Sequence, residues 1–95
     1  MEISDWRKKI DDIDPQIVEL LNQRATAAKE IGRIKRNLDM PIRENLRERE
    51  VLRNISRANH GPLADTDLHL IFERIIEIMR NIQKVEIVSE EEPTE

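Results

Sequence analysis

Arg24 and Lys35 stand in NQRATAAKEIGRIKR, residues 22–36, a stretch whose apolar residues repeat like one face of a buried helix. At about 100° per residue, Arg24, Ile31 and Lys35 fall within roughly 40° of one another, so two cations lie on the face that should pack. A similarly narrow stripe holds Phe72, Ile76, Met79 and Gln83, and another holds Glu44, Glu48, Val51 and Ile55 with Arg47 beside them. Taken singly, such a polar residue more often snorkels past its apolar neighbours or pairs with a buried carboxylate. Three stripes doing so together point to a shared ligand, because unpaired buried cations are costly. The excess of Arg and Lys over Glu48 calls for a small anion, most simply a carboxylate.

Helices must position these groups. Trp6, Ile10, Ile13, Ile17, Leu20 and Leu21 alternate steps of four and three, and the same phase continues through Ala27 or Ala28, Ile31, Ile34 and Leu38. With Ser4 or Asp5 as N-cap and a stop at Asp39-Met40-Pro41, this predicts a helix of roughly 33 residues, about 50 Å long. Asp14-Pro15 has the form of a cap and a fresh start. The apolar phase nevertheless crosses the proline without a slip, which favours one kinked helix. Gly32 costs about 1 kcal/mol relative to Ala inside a helix and marks the close approach of a neighbour. A second helix is expected from about Glu44 to Arg57, stopped by Asn59-His60-Gly61-Pro62. A third, capped by Asp65 or Thr66, buries Leu68, Ile71, Phe72, Ile75, Ile76, Met79 and Ile82. These make one helical domain over residues 1–88, followed by a disordered acidic tail, SEEEPTE, at 89–95.

The chain has 95 residues, room for one small domain, with 38% hydrophobic and 38% charged residues and two glycines. That profile suits amphipathic helices, and Val, Thr, Tyr and Phe are too scarce for an all-β protein. The net charge of −4 gives no global attraction to nucleic acid or an anionic membrane. No cysteine is present, which removes disulfides and thiolate metal sites and fits a reducing cytoplasm. MEISDWRKKI lacks the apolar run of a signal peptide, and no segment is long and apolar enough to span a bilayer, so a cytoplasmic protein is expected.

Arg7 precedes Lys35 by 28 positions, roughly 42 Å along one helix, so the two cannot share a site within one chain. In an antiparallel dimer of long helices, Arg7 would instead reach the middle or far end of its partner. A helix too long for a 95-residue monomer to cover makes that dimer attractive on its own account.

From Asp5 to Gln83 the chain resembles the all-α chorismate mutase family. WRKKIDDID, LLNQRATAAKEIGRIK, PIRENLREREVL and IFERIIEIMRNIQ carry the likeness, and the spacing of Arg7, Arg24, Lys35, Arg47-Glu48 and Gln83 fits throughout. The resemblance implies an intertwined homodimer of three-helix protomers with two equivalent sites. It further implies the Claisen rearrangement of chorismate to prephenate, on the route to phenylalanine and tyrosine, with no metal or cofactor. By the same resemblance, Arg24 and the partner's Arg7 bind the substrate carboxylates, Arg47 completes the cationic surround, and Lys35 and Gln83 donate to the ether oxygen. Glu48 accepts the ring hydroxyl, with backbone near Glu44 assisting. Glu44 stands where an aspartate is familiar, a longer arm of equal charge. Met79 replaces a small polar residue that touches a carboxylate in some members, which puts affinity rather than reaction type in question.

Other residues are set aside. His60 and His69 have no third ligand at useful spacing for a metal. Trp6 suits a dimer interface better than a ligand stack. Arg33, Arg36, Arg43 and Arg49 are expected to be solvated, and the basic run at 33–36 lacks the aromatic interleaving of a nucleic-acid surface. Two other functions fit the chain: an isochorismate pyruvate-lyase with a related cationic pocket, and a non-catalytic helical dimer regulating another shikimate-pathway enzyme.

Overall fold

A computed structural model describes residues 1–91, and within them three α-helices, α1 (Ile3–Asn37), α2 (Asn45–Ala58) and α3 (Asp65–Glu91), with no strand. The tail expected to be disordered lies, at residues 92–95, outside the described residues, while 89–91 continue α3. No helix among the described residues is long and apolar enough to cross a membrane.

α1 runs unbroken through Pro15 for 35 residues. It starts earlier than a Ser4 or Asp5 cap would allow. Glu2 is the extended N-cap residue, and Asp5 occupies the third helical position, where its carboxylate accepts the Glu2 N–H at 2.9 Å. Its C-terminus closes before the proline acts. Asp39 takes φ of 55°, Asp39 N–H donates to Arg36 O at 3.3 Å, and Met40 N–H donates to Lys35 O at 2.8 Å. That pairing is a Schellman turn with aspartate in the left-handed position, a conformation its short polar side chain tolerates. The turn sends residues 40–44 back across the last turn of α1.

α2 starts at Asn45, beside the expected Glu44, and α3 starts at Asp65, one residue before a cap there would allow. Glu44 is the extended N-cap residue of α2, but its side chain makes no cap bond. Leu68 N–H donates to Ala64 O at 3.0 Å, so Asp65 falls inside the first turn of α3, where it accepts from Asn59 Nδ2 at 2.6 Å. Gly61, at φ of 80°, provides the left-handed residue of the intervening turn.

α3 packs against both other helices. Against α1 the contact is Gly32, where an added Cβ would stand 3.0 Å from Gln83 Cα and Cβ, as its expected role in a close approach requires. Against α2, Ser56 Oγ and His69 Nε2 lie 2.7 Å apart, which places His69 in a part-buried helix contact. The core is small: Ala28, Ile76 and Met79 are the buried apolar side chains among the described residues, and Lys35 and Gln83 are as deeply enclosed.

The N-terminal half of α1 projects away from this core. Every residue from Trp6 to Gln23 is exposed, including the apolar repeat of Trp6, Ile10, Ile13, Ile17, Leu20 and Leu21. The chain measures 53 × 38 × 15 Å with a radius of gyration of 17.0 Å. A compact chain of this length would have a radius of about 12 Å.

Candidate active site

The three helices enclose a cavity of about 370 Å³, within the range of small-molecule sites. α1 contributes Arg24, Ala27, Ala28, Ile31 and Lys35; the turn contributes Ile42 and Glu44; α2 contributes Arg47, Glu48 and Val51. α3 closes it with Ile76, Met79, Arg80 and Gln83. Seven of the eight residues singled out in the sequence therefore meet at one cavity. Arg7 does not: it is exposed and lies 17 positions, about 25 Å, from Arg24 along α1.

Lys35 is 6% exposed, with two of its three N–H donors engaged. Its Nζ donates to Ile42 O at 2.8 Å and pairs with Glu44 Oε1 at 2.7 Å. The Schellman turn makes both contacts, by carrying Ile42 and Glu44 back over the end of α1. A buried ammonium is thus compensated without being removed from the cavity.

Arg24 is in the opposite condition. Burial first, and the like charge of Arg47 second, push its guanidinium below the usual range. No hydrogen-bond or ion-pair partner holds it among the described residues. Arg47 turns its Nη1 to Glu50 Oε1 at 2.6 Å, an exposed pair that leaves Arg24 unanswered. Two neighbouring cations at the wall of a cavity, one without a counter-ion, are suited to receive an anion.

On the α3 side, the Gln83 amide is buried and its Oε1 has no hydrogen-bond partner. Rotation of the amide would present either a donor or an acceptor at the same place. Met79 lines the same wall and offers no donor.

Three features escaped sequence reasoning. Arg80 lines the cavity, with Nε 3.0 Å from Glu48 Oε2. It sits four residues after Ile76 and three before Gln83, so the periodicity that singled out Arg24 could have found it. The Ile42 carbonyl carries no sequence signal. Arg36, expected to be solvated, donates from Nη1 to Gln83 O at 2.9 Å, because the α1–α3 approach brings it within reach. Arg43 is 63% exposed, with Nε 4.0 Å from Glu48 Oε1. Among the described residues no cluster of three or more His, Asp or Glu could hold a metal ion.

Over the described residues the fold is all-helical, with a part-open cavity lined by cations between its three helices. A profile of the chorismate mutase type II family matches residues 6–84, and the chain belongs to that family. It is 32% identical over 84 residues to the chorismate mutase of Methanocaldococcus jannaschii, covering 87% of this chain and 85% of that one. It is 39% identical over 87 residues to the bifunctional chorismate mutase/prephenate dehydratase of Aquifex aeolicus, again over 87% of this chain, but spans 24% of that protein's length. In three dimensions it resembles the crystal structure of chorismate mutase from Helicobacter pylori in complex with prephenate, with a TM-score of 0.83 and 26% identity, over 96% of this chain and 97% of that one.

Proposed function

We propose that this protein converts chorismate to prephenate as a cytoplasmic homodimer, with residues 1–88 as the catalytic unit. The observation that carries the reading is Arg24, part-buried beside Arg47 and without a counter-ion, in a cavity that also presents Lys35 and Gln83. Chorismate is a dianion whose rearrangement breaks an ether bond and makes a carbon–carbon bond, so the protein has no proton to move and no covalent intermediate to form. What remains for it is to hold the compact conformer and to stabilise charge on the ether oxygen.

Under this reading Arg24 and Arg47 take one carboxylate, and Arg7 from the partner takes the other. Lys35 Nζ and the Gln83 amide donate to the ether oxygen, and Glu48 accepts the ring hydroxyl. Glu44 holds the Lys35 ammonium in place between its carboxylate and the Ile42 carbonyl. Because charge on the ether oxygen develops mainly as the bond breaks, Lys35 acts on the transition state more than on bound substrate. Met79 supplies shape alone, so carboxylate binding rests on the arginines. The bare apolar face of Trp6, Ile10, Ile13 and Ile17 supports the dimer, since a second α1 would cover it and carry Arg7 toward the neighbouring cavity.

The test is consumption of chorismate by purified protein with identification of the product, run beside isochorismate. Prephenate from chorismate supports the reading. Pyruvate released from isochorismate, with chorismate untouched, replaces it by the lyase.

A further inference from the structure

We infer that Arg80 is a positioning residue of this site: it holds the Glu48 carboxylate at the cavity wall and so favours hydroxylated dianions as ligands. The inference rests on the reading of the site given above. Arg80 and Glu48 join α3 to α2 with Nε 3.0 Å from Oε2, at side-chain exposures of 23% and 20%. The Nε–H is not aligned for a hydrogen bond, so charge rather than direction dominates the contact.

Glu48 has a second, more distant cation near its other oxygen, Arg43 at 4.0 Å. Arg43 lines a second cavity and not the first, whereas Arg80, Glu48 and Ile76 line both and form the partition between them. Arg43 stays on the outer side, its Nε donating to Asn45 Oδ1 at 3.0 Å, so Arg80 is the cation that keeps the carboxylate where a substrate hydroxyl can reach it. Removing Arg80 takes away the nearer of these two cations.

The lining charges assign Arg80 a second consequence. Four cations, Arg24, Lys35, Arg47 and Arg80, line the cavity with two carboxylates, Glu44 and Glu48. Lys35 answers Glu44, Arg80 answers Glu48 and Arg47 reaches out to the exposed Glu50, which leaves Arg24 as the cation without a counter-ion, with Arg47 beside it. Without Arg80, the Glu48 charge would fall to those two arginines and compete with the incoming anion.

The test compares Arg80→Met, Arg80→Lys, Glu48→Gln and the Arg80→Met/Glu48→Gln pair for kcat, KM and Tm with chorismate. Arg74→Met, which removes an exposed arginine of the same helix, is the control. Arg80→Gln replaces Arg80→Met if the latter does not fold. Loss of one charge-assisted contact predicts a KM raised about tenfold in Arg80→Met, with kcat less changed. Arg80→Lys should recover most of that loss, and Arg80→Met should add little once Glu48 is Gln. Fully additive losses, or Arg80→Lys as damaged as Arg80→Met with KM following Tm, would reduce Arg80 to a packing residue while leaving the chorismate reading intact. A parent protein that leaves chorismate untouched overturns that reading, and this inference with it.

Discussion

A Cβ on Gly32 would stand 3.0 Å from both Cα and Cβ of Gln83, and one turn further along α1 the Arg36 guanidinium donates to Gln83 O at 2.9 Å. α1 therefore sets the position of Gln83 directly, and with it the relation of Gln83 to Lys35 across the cavity. A methyl at residue 32 meets helix backbone, which cannot swing aside as a flexible side-chain end would.

Gly32→Ala is accordingly expected to lose stability despite the better helix propensity of alanine. Overpacking costs about 1–3 kcal/mol and the propensity gain is about 1 kcal/mol, so Tm should fall by several degrees. kcat should fall more than KM rises, because Gln83 moves relative to Lys35. Thermal melts and steady-state rates at parent-like values would show that α3 relaxes freely at this contact.

Lys35→Ala should lower turnover far more than it disturbs the fold. Under the proposed mechanism it removes a donor aimed at developing charge, a loss of about 2.7–4 kcal/mol in barrier for groups of this kind. It also strips Glu44 of its 2.7 Å partner, adding an unanswered carboxylate to the wall. A variant in which only KM changes would make Lys35 a uniform binding residue.

Gln83→Glu tests the amide by titration. A carboxyl there donates only when protonated, and burial favours that neutral form. Activity should be present at low pH and lost as pH rises through the titration of the introduced group, since the carboxylate repels the forming oxyanion. The parent amide has no such limb. Superimposable pH–rate profiles would remove Gln83 from the ether oxygen.

Arg7→Ala and Arg24→Ala test whether the site crosses the dimer. Each homodimer should be nearly inactive. Mixed, unfolded and refolded together, the two chains give up to about half heterodimers, in each of which one site carries both lesions and the other carries neither. Activity should return to roughly a quarter of the parent value per protomer, if pairing is random. No recovery with heterodimers confirmed by mass would leave Arg7 outside the shared site.

Much of this arrangement could be read without coordinates. Arg24, Lys35, Glu48 and Gln83 were placed on packing faces by counting alone, because a helix fixes each side chain's direction every 3.6 residues. The continuity of α1 through Pro15 was legible for the same reason, as the apolar phase never slips. Reading α1 as too long for one protomer agrees with the exposed run from Trp6 to Gln23.

What a cation meets on the far side of the gap was not legible. Arg36 and Arg80 are both helical arginines with ordinary neighbours in sequence, yet one grips the Gln83 carbonyl and the other Glu48. Lys35 finds its partners only because Asp39 adopts a left-handed conformation and folds Ile42 and Glu44 back across α1. Sequence determined the faces, through local backbone geometry repeated along each helix. Tertiary structure decided the partners, because they come from other elements whose approach depends on packing at contacts such as Gly32 against Gln83.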